Sequence, residues 1–519
     1  MSALTGTGSL ARLALRRDRL MLPLWAVVVG GMVASGAGSI GALYDTPAAR
    51  ARVAASMNAN SSIRSLYGPV FGDSTGALVA WRFGVFAAVL AAVMSLIIVV
   101  RHTREEEETG RQEMLSAGRV GRRAPLTAAL LTALTANTAV ALVITAGLAG
   151  EGAAGALALG LAVGGTGMVF ATMAAIVAQL TESARLAKGL TAAVLGAAFL
   201  LRAAGDAGGA SALTWLSPVG WAGNVRAFAS ERWWVLVLMV AAVAAQTAVA
   251  YGLAGRRDVG MSFLPARPGP ASGRLATAGA LAWRLQRGGL LGWTLGFLAA
   301  GLVFGGMVEG ASDLVGDNAQ ARQIFERMGG QSGLENAFLA AMTDLFGMVA
   351  TLYVVGSVLR LHGEETSGRA EPILANAVSR LRWAAGHLLV AFGGAVLLMV
   401  AAATGLTLSY GRDAGPVLGA ALAQLPAVWA LGGVAVLLYG ALPKATPTAW
   451  AAAGLCLALG WIGPALDLPQ PVLNVSPFGH LPKLPGAAVS WPPLLILGAL
   501  TGTLVAAGLT GLRRRDLVT

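Results

Sequence analysis

Twelve stretches of the chain are apolar enough, for long enough, to be read as membrane-crossing helices: 21–44, 78–100, 126–148, 154–180, 189–204, 233–253, 290–307, 345–361, 384–408, 416–439, 448–465 and 492–512. A helix crosses the hydrocarbon core of a bilayer with about 20 mostly apolar residues. The fifth, eighth and eleventh stretches are short. Gly and Pro interrupt several runs, which neighbouring helices in a bundle permit. The first run follows Arg12, Arg16, Arg17 and Arg19, shows no clear cleavage site and is long enough to span, so it is expected to be a membrane helix rather than a signal peptide. The pattern predicts an all-α polytopic membrane protein.

Composition agrees with the pattern. Of 519 residues, 56% are hydrophobic and only 12% are charged, whereas a soluble domain carries about 25% charged residues. A soluble enzyme and a disordered chain are both excluded. The balance is +12, from 37 Lys+Arg against 25 Asp+Glu. With the N-terminus placed inside, 26 of the 37 cations fall on that side. Such an excess marks cytoplasmic loops. It predicts cytoplasmic termini and accounts for the basic charge without nucleic acid. The expected location is a bacterial cell membrane, crossed many times. The single cysteine, Cys456, excludes an internal disulfide and a cysteine metal cluster. No metal site is expected.

The chain repeats itself. Glu107-Glu108-Thr109-Gly110-Arg111-Gln112-Glu113 follows the second stretch, and Glu364-Glu365-Thr366-Ser367-Gly368-Arg369-Ala370-Glu371 follows the eighth, with the GRxE cores offset by 258 residues. Ser217-Pro218-Val219-Gly220-Trp221 precedes the sixth, and Ser476-Pro477-Phe478-Gly479-His480 the twelfth, offset by 259. Arg256-Arg257-Asp258 and Arg514-Arg515-Asp516 close the two halves at an offset of 258. Each half holds six spans, so both halves carry the same orientation and the repeat axis runs along the membrane normal. The expected organisation is a first six-helix half over 1–258, a cytoplasmic linker over 259–283 and a second half over 284–519. The linker holds Pro265, Pro268, Gly269, Pro270 and Gly273, residues that interrupt regular structure. The basic lead-ins before the first and seventh spans are expected to lie on the inner membrane surface.

Glu105, Glu106, Glu107 and Glu108 could be a solvated charge run that stops a helix. A solvation device need not keep residue order, whereas Gly110, Arg111 and Glu113 recur in register as Gly368, Arg369 and Glu371. A docking surface must keep that order. Carboxylates at the start of a short helix favour its dipole, and Met114, Leu115, Ile373 and Leu374 add apolar contact.

Loops of the form EExxGRxE, placed after the second span of a six-span unit, resemble those of ABC-2 type transporter permeases. The duplicated twelve-span form, with SPxGW followed by Arg232-Trp233-Trp234 at the start of the sixth span, is similar to actinobacterial exporters of polyketide antibiotics. The resemblance covers essentially the whole chain. It implies a permease that exports hydrophobic or amphipathic drugs by alternating access, as the membrane subunit of a multidrug efflux system. It implies a coupling helix at each loop, seated on one of two copies of a separate ABC ATPase that binds ATP and magnesium. Glu105, Glu106, Glu107, Glu108, Gly110, Arg111 and Glu113 would couple the first half, with Glu107 and Glu108 matched to Glu364 and Glu365. Those two, with Gly368, Arg369 and Glu371, would couple the second. The loop at Glu182, Arg185 and Lys188 is a candidate second contact, for which Lys444 is a weak counterpart. No G-x-x-x-x-G-K-[ST] motif occurs in the chain. The chain is therefore expected to be no enzyme and to bind no cofactor of its own.

At the opposite ends of the spans, Ser217, Pro218, Gly220 and Trp221, with Ser476, Pro477 and Gly479, predict a short re-entrant element that closes the exit side. Trp221, Trp233 and Trp234 would anchor it at the interface. Outer segments 45–77 and 308–344 are expected to hold short surface helices. Phe86, Met94, Phe346 and Tyr353 are candidates for the cargo path, each competing with a simple packing role. Arg82 and Arg202 are expected to snorkel, Asp344 to be interfacial and His387 to be a packing residue. Two rivals remain. A proton-driven secondary multidrug transporter needs an acid within its pathway. A membrane enzyme acting on lipid-linked substrates needs an outward acidic cluster, for which Asp313 and Asp317 come closest.

Overall fold

The computed structural model describes residues 2–116, 118, 120–209, 211–258, 260–264, 277–308, 333–412, 414–461 and 469–516. These residues form helices and loops and, among themselves, no strand. Two compact units divide the chain, Met1–Pro268 and Gly269–Thr519. The Pro- and Gly-rich stretch of the expected linker, and Asp313 and Asp317, lie outside the described residues.

In the first unit, α1 (Thr7–Arg17) precedes six apolar helices. These are α2 (Met21–Leu43, with a π-helical turn at Ala26–Gly30), α3 (Thr75–Arg101), α4 (Ala124–Leu148), α5 (Ala153–Leu180), α6 (Ala184–Gly208) and, after the short α7 (Pro218–Asn224), α8 (Trp234–Ala254). The second unit holds α9 (Ala278–Gly305), α10 (Leu334–Thr366), α11 (Arg380–Tyr410), α12 (Ala414–Ala441), α13 (Thr448–Trp461) and α14 (Trp491–Arg514). Eleven of these helices are long and apolar enough to cross a membrane. The remaining expected span, the eleventh, is α13, whose described part has 14 residues and whose expected continuation falls among 462–468, outside the described residues. The protein is an all-α polytopic membrane protein.

Within each unit the first span packs on the third, the second on the fourth, and the fourth on the sixth. Small residues allow this closeness. A Cβ on Gly301 or Gly405 would run into the facing backbone of α11 or α9, and one on Gly440 or Gly508 into that of α14 or α12. Packing of this kind, rather than hydrophobic expulsion from water, drives association in lipid. The sixth spans are the most outlying. Only 17% of the most apolar window of α8, and 17% of that of α14, is buried within the protein, so their apolar side chains are left to the bilayer.

Side-chain caps start several helices. Ser74, Thr277 and Ser379 accept the backbone N–H groups of Ala77, Ala280 and Arg382, satisfying donors that a helix start leaves unpaired. Three expectations need correction. The eighth span is not short, because α10 runs 33 residues. Asp344 therefore sits inside a helix, and it is buried. The second basic lead-in is no separate surface segment: Arg284 and Arg287 lie within α9, continuous with its span. Segment 45–77 holds two short helices, Pro47–Ala59 and Ser61–Tyr67, while 309–332 lies outside the described residues.

Candidate functional site

The two acidic loops are built on one plan. α3 ends at Arg101, a short helix Arg104–Glu108 follows, the chain turns at Gly110, and a second short helix begins at Arg111. In the second unit α10 carries straight on through Thr366, turns at Gly368, and a short helix begins at Glu371. Gly110 has φ 72° and Gly368 has φ 70°. This left-handed conformation suits glycine and strains other residues, which explains why glycine stands at both turns.

One acid before each glycine, Glu107 or Glu365, is turned inward onto an arginine. Glu107 receives two parallel hydrogen bonds from Arg257, Nη2 to Oε1 at 2.6 Å and Nη1 to Oε2 at 2.8 Å. Glu365 receives the same pair from Arg515, Nη1 to Oε1 at 2.6 Å and Nη2 to Oε2 at 2.8 Å. Two of the three repeat markers thus grip each other in each unit. Such forked Arg–carboxylate pairs are among the strongest polar contacts in proteins. Arg515 lies past the end of α14, and its hydrogen bonds to Glu365 raise its pKa. One residue earlier, Glu106 pairs with Arg111 at 3.1 Å and Glu364 with Arg369 at 3.3 Å. The structural match is therefore Glu106 with Glu364 and Glu107 with Glu365. The expected match of Glu107 to Glu364 and Glu108 to Glu365 is one residue out of register, because the first loop carries a run of four acids and the second only two.

Each clasp has its own surroundings. Arg104, 1% exposed, donates Nη1 to Glu107 at 2.7 Å, Nε to the Ala178 carbonyl at 3.1 Å and Nη2 to the Met261 carbonyl at 3.0 Å. Gln179 accepts from Arg257 Nε at 2.7 Å. Glu365 is also bonded by Tyr439, whose hydroxyl donates at 2.6 Å and whose ring lies 5.1 Å from the Arg515 guanidinium. The loop between the fourth and fifth spans joins the first cluster: Lys188 bonds Glu105 at 2.9 Å and the Ala184 N–H bonds Glu108 at 3.2 Å. Asp18, just after α1, is buried between His102 at 2.6 Å and Arg101 at 2.8 Å.

The motif therefore has two faces. Glu107, Glu364 and Glu365 are turned into the protein, with side chains 11%, 8% and 2% exposed. Glu108, Arg111, Glu113 and Met114, with Arg369 and Glu371, are exposed. Sequence reasoning marked Arg257 and Arg515 only as repeat boundaries, and missed Arg104, Asp18, His102 and Tyr439. The shared offset of the two markers was the signal that could have paired Glu107 with Arg257.

At the far ends of the spans, Ser217 caps α7 by accepting the Gly220 N–H at 3.3 Å and donates to the Ala198 carbonyl at 2.6 Å. Pro218 opens α7, and Trp221 donates to the Trp215 carbonyl at 2.7 Å. Ser476 and Pro477 open a single short turn, Pro477–His480. A Cβ on Gly220 would strike the Thr214 carbonyl, and one on Gly479 the Leu473 carbonyl, so both glycines permit a close fold-back. Arg202 does not snorkel. It is 1% exposed and donates Nη2 to the carbonyls of Ser65 and Leu66. Asp344 is paired with Lys483 and accepts from Gln424 Nε2 at 2.7 Å. His387 is buried against Gln286 at 3.0 Å. Of the cargo-path candidates, Met94, Phe346 and Tyr353 are buried in their own units and Phe86 is half-buried beside Tyr67. Tyr353 donates to the Val390 carbonyl at 2.9 Å.

Comparison with known proteins adds an independent line. A family model described as the C-terminal domain of the multidrug efflux system permease Rv1217c matches residues 275–513. Over 528 residues, spanning 99% of this chain and 96% of the relative, the sequence is 44% identical to the multidrug efflux system permease protein Rv1217c of Mycobacterium tuberculosis.

Proposed function

Because the chain belongs to the family of the multidrug efflux permease Rv1217c, we propose that it is the membrane subunit of an ATP-binding-cassette exporter. In this reading it moves hydrophobic or amphipathic drugs or natural products out of the cell. The energy comes from two copies of a separate ATPase subunit, which hold the ATP and magnesium. Both termini and both acidic loops face the cytoplasm.

One observation carries the reading: each loop presents an exposed glutamate, Glu113 or Glu371, at the start of a short helix just past a left-handed glycine, on a base clamped by a buried Glu–Arg pair. The exposed part offers charge to a partner. The clamped part transmits. Closure of the ATPases displaces the short helices, and the clasp carries that displacement into the second and sixth spans of the unit. Cargo biases the cycle only through different affinity for the inward and outward states.

The test is co-purification with the ATPase encoded beside the gene, followed by transport assays on Glu113→Ala combined with Glu371→Ala. The expected outcome is a complex that still forms and has lost ATP-driven efflux. Undiminished efflux from the double variant sinks the coupling role. A proton-driven transporter is the second reading, and Asp344, an acid inside a membrane helix, favours it. Lys483 already balances that carboxylate. Vesicles containing this chain alone, with a pH gradient and no nucleotide, separate the two: uptake that is abolished by Asp344→Asn would replace the first reading.

A further inference from the structure

A small pocket of about 50 Å³, open to solvent on one side, lies in the first unit at the end opposite the acidic loops. Its polar lining consists mainly of donors. Arg202 is 1% exposed, and its Nε has no hydrogen-bond partner among the described residues. The same holds for Asn224 Nδ2 and Arg226 Nε, both buried atoms. The acid in the wall, Asp206, is already engaged by Thr214 at 2.9 Å and Arg202 Nη1 at 3.4 Å. Arg64 donates to the Asp206 and Ala207 carbonyls. Burial lowers the Arg226 pKa, and the nearby charge of Arg232 lowers it further. Positive charge is thus in excess and donors are in excess. Buried polar groups are ordinarily paired, so three orphan donors in one pocket ask for an acceptor.

The rest of the wall is apolar, made of small aliphatic residues such as Ala80, Val85 and Leu159 with three aromatic rings, Tyr67, Phe71 and Trp81. Phe71 lies under the Arg226 guanidinium at 4.4 Å, and Trp81 is fixed by its Nε1 bond to the Gly68 carbonyl at 2.9 Å. The segment that supplies the donors is held in place. Arg226, Phe228 and Ser230 all have left-handed backbones, at φ 55°, 61° and 58°. Non-glycine residues keep that conformation only where their surroundings impose it. The Phe228 ring supplies the constraint by seating against Gly76 and Gly155, where any Cβ would collide with it.

We infer that this pocket binds an oxyanion carried on a hydrophobic body, with the acid on Arg202, Asn224 and Arg226 and the body against the apolar wall. An acidic lipid headgroup and an acidic amphipathic cargo share that chemistry. The inference goes beyond the exporter reading and does not depend on an ATPase partner.

The test uses the full chain in phosphatidylcholine nanodiscs, titrated with dodecyl phosphate and followed by tryptophan fluorescence and unfolding temperature. Saturable binding is expected, at least about tenfold tighter than for dodecanol, since each hydrogen bond to a charged group is worth roughly that factor. Arg226→Gln and Asn224→Leu should each weaken it about tenfold. They are used because Arg202→Gln, deep in the fold, risks misfolding. Equal affinity for dodecanol, or unchanged affinity in both variants, overturns the inference. Phosphatidylglycerol in the disc then identifies the source. If it weakens dodecyl phosphate binding in the wild type and not in Arg226→Gln, a lipid headgroup occupies the site. If it leaves binding unchanged, the site serves an acidic amphipathic cargo.

Discussion

Glu107 and Glu365 occupy the same place in their units and are held by the same forked arginine, yet their neighbours differ. Glu107 lies between two guanidiniums, Arg104 and Arg257, and the surplus charge is met by Gln179 and two backbone carbonyls. Glu365 is held by the Arg515 guanidinium and a phenol, and that arginine also rests on an aromatic ring. The geometry of the tie has been kept while its electrostatic setting has been rebuilt. What both units share is therefore the link between the loop and the end of the last helix, and not a particular local charge.

This contrast can be tested by removing the acids. Glu107→Ala strands two largely buried cations and should destabilise the protein by about 3–5 kcal/mol, the cost of breaking a buried ion pair from one side. Glu365→Ala strands Arg515, which keeps its ring, and about 2 kcal/mol is expected. Equal losses in unfolding experiments in the same detergent would erase the distinction. Tyr439→Phe removes one hydrogen bond and should cost about 1 kcal/mol, leaving the Arg515–Glu365 pair closed. Gly110→Ala and Gly368→Ala should cost about 1 kcal/mol each. The two costs should match, because a Cβ at either position meets nothing within 4 Å and only the backbone is strained. A marked inequality would mean that the turns differ in a way their φ angles do not reveal. The smallest effect belongs to Glu113→Ala and Glu371→Ala, each within about 0.5 kcal/mol. A larger loss there would make those acids part of the clasp rather than of the exposed face.

The membrane helices were legible because a long, nearly uncharged apolar run suits little besides a bilayer. Misjudgements cluster where charge enters a helix. α10 extends well past the expected 345–361 at both ends because Asp344, Glu364 and Glu365 find partners inside the protein: Lys483, Arg369 and Arg515. Hydropathy counts such acids as interruptions, and only tertiary pairing shows that they are not. Arg202 misled in the same way, since a basic residue near a helix end usually reaches for water and this one reaches for the Ser65 and Leu66 carbonyls, more than 130 residues away in sequence. Repeat order singled out the acidic loops. It could not show that half of each motif faces inward, because that division depends on an arginine 150 residues downstream.

The clasps also bear on the lipid. Each ties its loop to the end of α8 or α14, the two columns with the least protein around them and the most bilayer. A helix whose apolar length disagrees with the local hydrocarbon thickness tilts to compensate. Through Arg257 and Arg515 that tilt is felt at the acidic loops, so acyl-chain length becomes an input to the machine, and turnover measured in thin and thick membranes should differ even when everything else is held constant.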